Sequence, residues 1–223
     1  GNLAEPRFIA LPGATAQADA LTRAVHAAAF DALLARVRVA LRGVAALPEW
    51  RKGGSEGGAG GLALPSFSAY PLAYVTAMGE YLMEVPQLLE LLMSDASGMA
   101  GGSEGGAGGE SSAAQDEARE ELAAAWLDRV VSGAAGAYAD ALAGVTELTA
   151  QGGVQLAADV EYFCNVMSAL HVMPPPALLT IQLFAGVPAA EFVEAAKAAL
   201  AEGGVDAATL KSLAAARHIA LDT

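Results

Sequence analysis

Apolar side chains in this 223-residue chain recur at steps of three and four, and no segment reads convincingly as a strand. Leu21, Val25, Ala29, Leu33, Val37, Leu41 and Val44 carry the pattern along the first such stretch. Leu72, Val75, Gly79, Leu82 and Val85 carry it along a second. Leu122, Trp126, Val130, Gly133, Ala137 and Ala141 follow, and then Leu156, Val160, Phe163, Met167 and Leu170. The chain is 54% hydrophobic but only 6% aromatic, because alanine carries much of the total, and alanine favours helix. An all-α fold is predicted.

The nine residues GGSEGGAGG at Gly53–Gly61 return letter for letter at Gly101–Gly109. Each copy contains G-x-S-x-G, the pattern of a hydrolase nucleophile elbow, with Ser55 and Ser103 in the nucleophile position. An elbow serine stands on a sharp turn between a buried strand and a helix. LPEWRK precedes the first copy and MSDASGMA the second, and neither is a strand; more glycine follows each. Mostly-glycine segments lose much backbone entropy on ordering and bury nothing in return. Both copies therefore read as flexible spacers.

With the spacers placed, six segments follow. Residues 1–17 form an irregular lead-in and 18–52 a first helix with its exit, capped by Asp19 and stopped by Pro48. Residues 53–61 are a glycine-rich linker, and 62–100 a second helical segment with Ser68 as a cap and Pro71 in its first turn. Gly79 in that helix suits close approach of a neighbour, and Pro86 should kink it or start a new one. Residues 101–112 are a second linker, and 113–223 a C-terminal helical bundle. Its first helix, from about Ala113 to Leu142, opens on Asp116, Glu117, Glu120 and Glu121, where the macrodipole favours negative charge. Three short helices are predicted over 176–184, 188–201 and 206–216.

Net charge is −13, which sets the chain against phosphate backbones and anionic lipid, so nucleic acid is not an expected partner. From Tyr162 to Ala190 there is no Asp, Glu, Lys or Arg, but Pro174-Pro175-Pro176 cuts the run into pieces too short to span a membrane. The single cysteine, Cys164, excludes an intrachain disulfide and fits a reducing compartment. A first residue other than Met leads us to expect an excised fragment or a processed product, and no signal peptide is visible.

Candidate chemistry is sparse. His26, His171 and His218 fall on three different predicted elements without the spacing of a helical metal site. Cys164 beside Phe163 reads as a small packed hydrophobe. No P-loop, dinucleotide fingerprint or paired Glu-x-x-His occurs, so neither metal nor organic cofactor is expected. One feature runs against the acidic average: Arg36, Arg38, Arg42, Arg51 and Lys52 crowd the end of the first helix and its exit. Arg38 and Arg42, four apart, would share a helix face. That face is either a solvated one balancing the acidic helix later in the chain, or a docking ridge for an acidic partner or a membrane surface.

Two blocks carry a resemblance. YPLAYVTAMGEYLMEVPQLLE, with Pro71, Tyr74, Thr76, Gly79, Tyr81, Pro86 and Glu90, resembles a stretch of the subunit-seven family of the conserved oligomeric Golgi complex. The block from Ala125 to Val172, with Trp126, Tyr138, Gly153, Gln155, Asp159, Tyr162 and Asn165, is similar to late helices of that family, in the same order and spacing. The resemblance is best over 62–200 and corresponds to the C-terminal part of the subunit. It implies an elongated antiparallel helical bundle of the stacked-rod type found in multisubunit tethers. It also implies a non-catalytic role in intra-Golgi retrograde vesicle transport, peripheral on the cytosolic Golgi face. Subunit five is then the expected close partner, with six and eight in the same lobe. The alternatives are a helical bundle with a small-ligand or enzymatic site between helices, and a helical domain of another tether such as the exocyst.

Overall fold

The computed structural model describes residues 12–52, 70–100 and 109–221, without side-chain detail at 12, 93–100 and 109–115. Both G-x-S-x-G serines, the Ser68 cap and the first eleven residues lie outside the described residues. Seven α-helices and two 3-10 turns are present among the described residues, and no strand.

Helix α1 (Pro12–Ala40) begins at Pro12, inside the predicted lead-in, so Asp19 lies within the helix and does not cap it. Proline suits a first helical position because its missing N–H would be unsatisfied there anyway. The helix ends at Ala40, well before the predicted stop at Pro48. Gly43 takes φ 76°, the left-handed region. Two 3-10 turns, Val44–Ala46 and Pro48–Arg51, then carry Trp50 into the core, where its indole N–H donates to the Val44 carbonyl at 2.6 Å.

Helix α2 (Ala73–Ala100) continues through Pro86 without a break. Val75, Leu82 and Val85 are fully buried on its inner face, as the periodicity predicts. Gly79 lies on the same face, and the Tyr162 ring of α4 fills the space where a Cβ would stand. Helix α3 (Gly109–Ala143) starts inside the second predicted linker. Its acidic set from Asp116 onward therefore lies beyond the first turn, where the macrodipole effect has fallen off. Helix α4 (Ala150–Ala169) is capped by the Thr149 hydroxyl, which accepts the Gly152 N–H. Leu156, Val160, Phe163, Met167 and Leu170 are all buried, as the spacing predicts. Helices α5 (Pro176–Phe184), α6 (Ala189–Glu202) and α7 (Ala207–Ala216) fall within a residue of the predicted bounds.

The first three helices pack up-down-up. Arg36 meets Glu84 while Ala40 lies beside Ala77 and Met78, so α2 runs antiparallel to α1. His26 stacks edge-on against Trp126, Gly133 packs under Phe30 and Leu34, and Gly144 meets Ala45, so α3 runs parallel to α1. Helix α4 packs on α2 and on the turn carrying Trp50, and α5 lies against α4 and α7. Gly152 and Gly153 permit this: a Cβ on the first would run into the Trp50 carbonyl, and on the second into the Ala185 carbonyl.

The predicted stripe on α1 is only half right. Val37, Leu41 and Val44 are buried, but Leu21 and Val25 are 66% and 56% exposed. Each residue advances about 100° around a helix, so repeated steps of four walk the stripe sideways. Leu21 ends up roughly 160° from Val37, on the opposite side. Leu34, which that stripe omits, is buried instead, with Phe30 packed against the core beside it.

Helices α4 and α7 end alike. His171 and His218 take φ 59° and 56°. Behind them, Val172 N–H returns to the Met167 carbonyl and Ile219 N–H to the Ala214 carbonyl, while each histidine N–H bonds one residue further along. These are Schellman closures with histidine where glycine is usual.

Candidate interaction surface

The basic residues at the end of α1 are largely engaged within the chain. Arg38 pairs with Asp31 at 3.0 Å, Arg51 with Glu147 at 2.9 Å, and Lys52 with Glu49 at 3.3 Å. Arg36 reaches Glu84 at 3.5 Å and lies over the Tyr81 ring, 4.6 Å from its centroid. None of these partners belongs to the acidic start of α3, the balancing charge expected from the sequence. All these pairs involve exposed arginine or lysine heads, so each is worth under about 1 kcal/mol. Arg42 is exposed and has no ion pair with a described residue. It stands in the turn beyond α1, so Arg38 and Arg42 do not form one face of a continuous helix.

The buried polar groups do a different job. Asp159 is fully buried on α4. Its Oδ1 accepts the Leu72 N–H at 2.9 Å and the Gln155 side-chain amide at 2.9 Å. Its Oδ2 has no hydrogen-bond partner among the described residues, and burial raises its pKa above the usual carboxylate range. Gln155 also donates to the Tyr70 carbonyl at 2.8 Å. One turn and a half earlier, Thr149 donates to the Lys52 carbonyl at 2.6 Å, and its N–H bonds the Trp50 carbonyl. Thus the N-terminal half of α4, with its cap, grips the chain both where it leaves for residues 53–69 and where it returns. Nothing in the residue spacing assigned Asp159 this role; the available signal is a carboxylate next to Val160 in a buried stripe.

Beside this network the Tyr74 and Tyr138 hydroxyls bond at 2.9 Å, and burial raises both phenols above their ordinary range. Cys164 is buried, and burial pushes its thiol up to about 11, so it packs as a hydrophobe and not as a nucleophile. His26 packs on Trp126, while His171 and His218 close helices; the three are not brought together. Among the described residues no three His, Cys, Asp or Glu side chains cluster as a metal would need. Helices α3, α4, α5 and α7 line a partly open, mainly apolar pocket of about 170 Å³, with Leu142, Leu156, Ile181 and Leu213 in its walls. Asp140 is its one ionisable lining residue, so no pair of titratable groups converges there. No helix among the described residues is long and apolar enough to cross a membrane.

These features define an all-α scaffold whose buried polar groups hold helices and chain crossings in register, and whose exposed surface includes apolar helix faces. The chain belongs to the family described as Golgi complex component 7 (COG7), whose profile matches residues 2–218. It is 35% identical to conserved oligomeric Golgi complex subunit 7 of Arabidopsis thaliana over 218 residues, which cover 98% of this chain and 24% of that protein. With the Bos taurus subunit 7 it shares 28% identity over 205 residues, covering 89% of this chain and 26% of the relative. With the Homo sapiens subunit 7 it shares 29% over 157 residues, covering 69% and 20%. The chain thus spans about a quarter of the length of the curated relatives it matches. No solved structure matches it.

Proposed function

We propose that this chain is a non-catalytic helical module of a Golgi vesicle-tethering complex, acting in intra-Golgi retrograde transport by binding other subunits. The observation that carries this reading is the family match over residues 2–218. The fold agrees with it, since packed helices with exposed apolar faces offer grooves for partner helices. Subunit five is the first expected partner, then six and eight, with the module peripheral on the cytosolic face of the Golgi. Arg38 and Arg42 remain candidate docking residues, Arg42 the stronger because it has no ion pair with a described residue. The family match favours this complex over another tether such as the exocyst.

The test is capture of the folded 223-residue chain by the separate subunits of the complex, followed across salt concentration. Selective capture by one of subunits five, six or eight supports the reading. Capture by none of them, with helicity confirmed by circular dichroism, contradicts it.

A further inference from the structure

We propose that the pocket between α3, α4, α5 and α7 receives an aromatic side chain of a partner protein, with a basic side chain of that partner beside it meeting Asp140. This deepens the tether reading above and rests on it. The helices meet here on short side chains, with Ala139 and Ala143 of α3, Ala177 of α5 and Ala216 of α7 in the lining. The buried Leu142, Leu156, Ile181 and Leu213 make the rest of it aliphatic. Its volume of about 170 Å³ is enough for a phenyl ring, since an apolar cavity of about 150 Å³ takes benzene. Sites for drug-sized ligands run to about 300–1,000 Å³, so this one suits a single anchoring side chain. Aromatic residues are the side chains that protein interfaces favour at their buried centres.

Charge selects what stands beside the anchor. Asp140 lines the pocket, is exposed, and has no ion pair with a described residue. The cations of the surrounding elements are all elsewhere. Helices α4 and α5 carry no lysine or arginine. The last cation of α3, Arg129, lies 11 residues before Asp140, about 16 Å along the axis, over the Phe30 and Trp126 rings. On α7 the lining positions are Thr209, Ser212, Leu213 and Ala216, and Lys211 stands about 150° around the helix from their middle. Arg217 donates to the Phe184 carbonyl, and Arg51 pairs with Glu147. An aromatic anchor with a lysine or arginine next to it therefore finds an uncompensated carboxylate at the mouth. An anchor flanked by glutamate meets like charge there.

The experiment follows the Ile181 and Leu213 methyl resonances of the whole chain as synthetic helical peptides are added. Three peptides differ only at a central position and at the residues about four places to either side: Phe with Lys, Phe with Glu, and Ala with Lys. The Phe–Lys peptide should shift both methyls saturably. The Ala–Lys peptide should bind about thirtyfold more weakly, and the Phe–Glu peptide about threefold more weakly. Asp140 and Ser212 are both exposed, so substitutions there spare the core. Asp140→Lys should reverse the order of the two Phe peptides, and Ser212→Leu, which fills the mouth, should abolish the shift. Equal binding of all three peptides, an order unchanged by Asp140→Lys, or no saturable shift from any peptide would overturn the proposal. Tighter binding of benzylamine than of the Phe–Lys peptide would also overturn it, by assigning the pocket to a small ligand. Ser212→Leu serves in the capture assay as well. Retained capture of that variant by a tether subunit rejects this pocket and leaves the tether reading standing; failure of the unmodified chain in that assay rejects the tether reading.

Discussion

The Asp159 carboxylate in the middle of α4 accepts the backbone N–H of Leu72, the residue just ahead of α2, across 87 positions of sequence. A carboxylate at a helix N-terminus meets both an unsatisfied N–H and the positive end of the macrodipole. Burial works the other way, and the net effect on Asp159 is a raised pKa.

Removing the acceptor should therefore be harmful, and removing only the charge should not. Asp159→Ala leaves the Leu72 N–H unmatched and should cost about 1–3 kcal/mol in urea denaturation. Asp159→Asn keeps an acceptor and relieves a buried charge. For a raised carboxylate, the stabilising contribution is full below the unfolded-state pKa and is lost as pH rises through the folded value. The wild type should accordingly lose stability relative to Asp159→Asn on going from acid to neutral pH. A difference between the two that does not vary with pH would contradict the assignment.

Thr149 and Gln155 hold Lys52 and Tyr70, the two feet of residues 53–69, against the N-terminal half of α4. Six helical residues separate the two grips, roughly 9 Å of axis, which about six linker residues could span. Replacing 53–69 with such a linker should keep the far-ultraviolet spectrum and stabilise the chain by about 1 kcal/mol through loop closure. Loss of cooperative unfolding would show that the segment does more than connect.

Glycines on α4 and α3 should respond in opposite directions to alanine. Gly152 and Gly153 each face a backbone carbonyl that cannot move aside, so Gly152→Ala and Gly153→Ala should each cost about 2–3 kcal/mol. Gly136 is exposed within α3, and nothing lies within 4 Å of where its Cβ would stand, so Gly136→Ala should gain about 0.5–1 kcal/mol. Chemical denaturation midpoints would separate the two classes.

His171 and His218 hold left-handed backbone at the ends of α4 and α7. Left-handed backbone disfavours L side chains by about 1–2 kcal/mol. His171→Gly and His218→Gly should therefore each raise stability, by about 1 kcal/mol once the greater chain freedom of unfolded glycine is set against the relief. A drop in thermal midpoint for either variant would mean that the imidazole makes a compensating contact.

Several elements were legible before any packing was known. The α4 stripe from Leu156 to Leu170 and the bounds of α5 to α7 follow from spacing and proline punctuation, because local propensity and burial agree there. Gly79 was legible as a close approach, though not as one made by Tyr162. The end of α1 was not, because Gly43 and the Trp50 docking site override a sequence that could continue as helix.

The candidate surface divides in the same way. A run of basic residues was visible in the letters, but its ion pairs with Asp31, Glu49, Glu84 and Glu147 depend on which helices become neighbours. What the chain determined by itself was its helical class, its punctuation and its family resemblance, since these rest on local periodicity and on residue identity in order. Only the tertiary structure decided which side of α1 faces inward and that Asp159 receives Leu72. Those outcomes require contacts between residues dozens of positions apart, and alanine-rich helices leave more than one face able to make them.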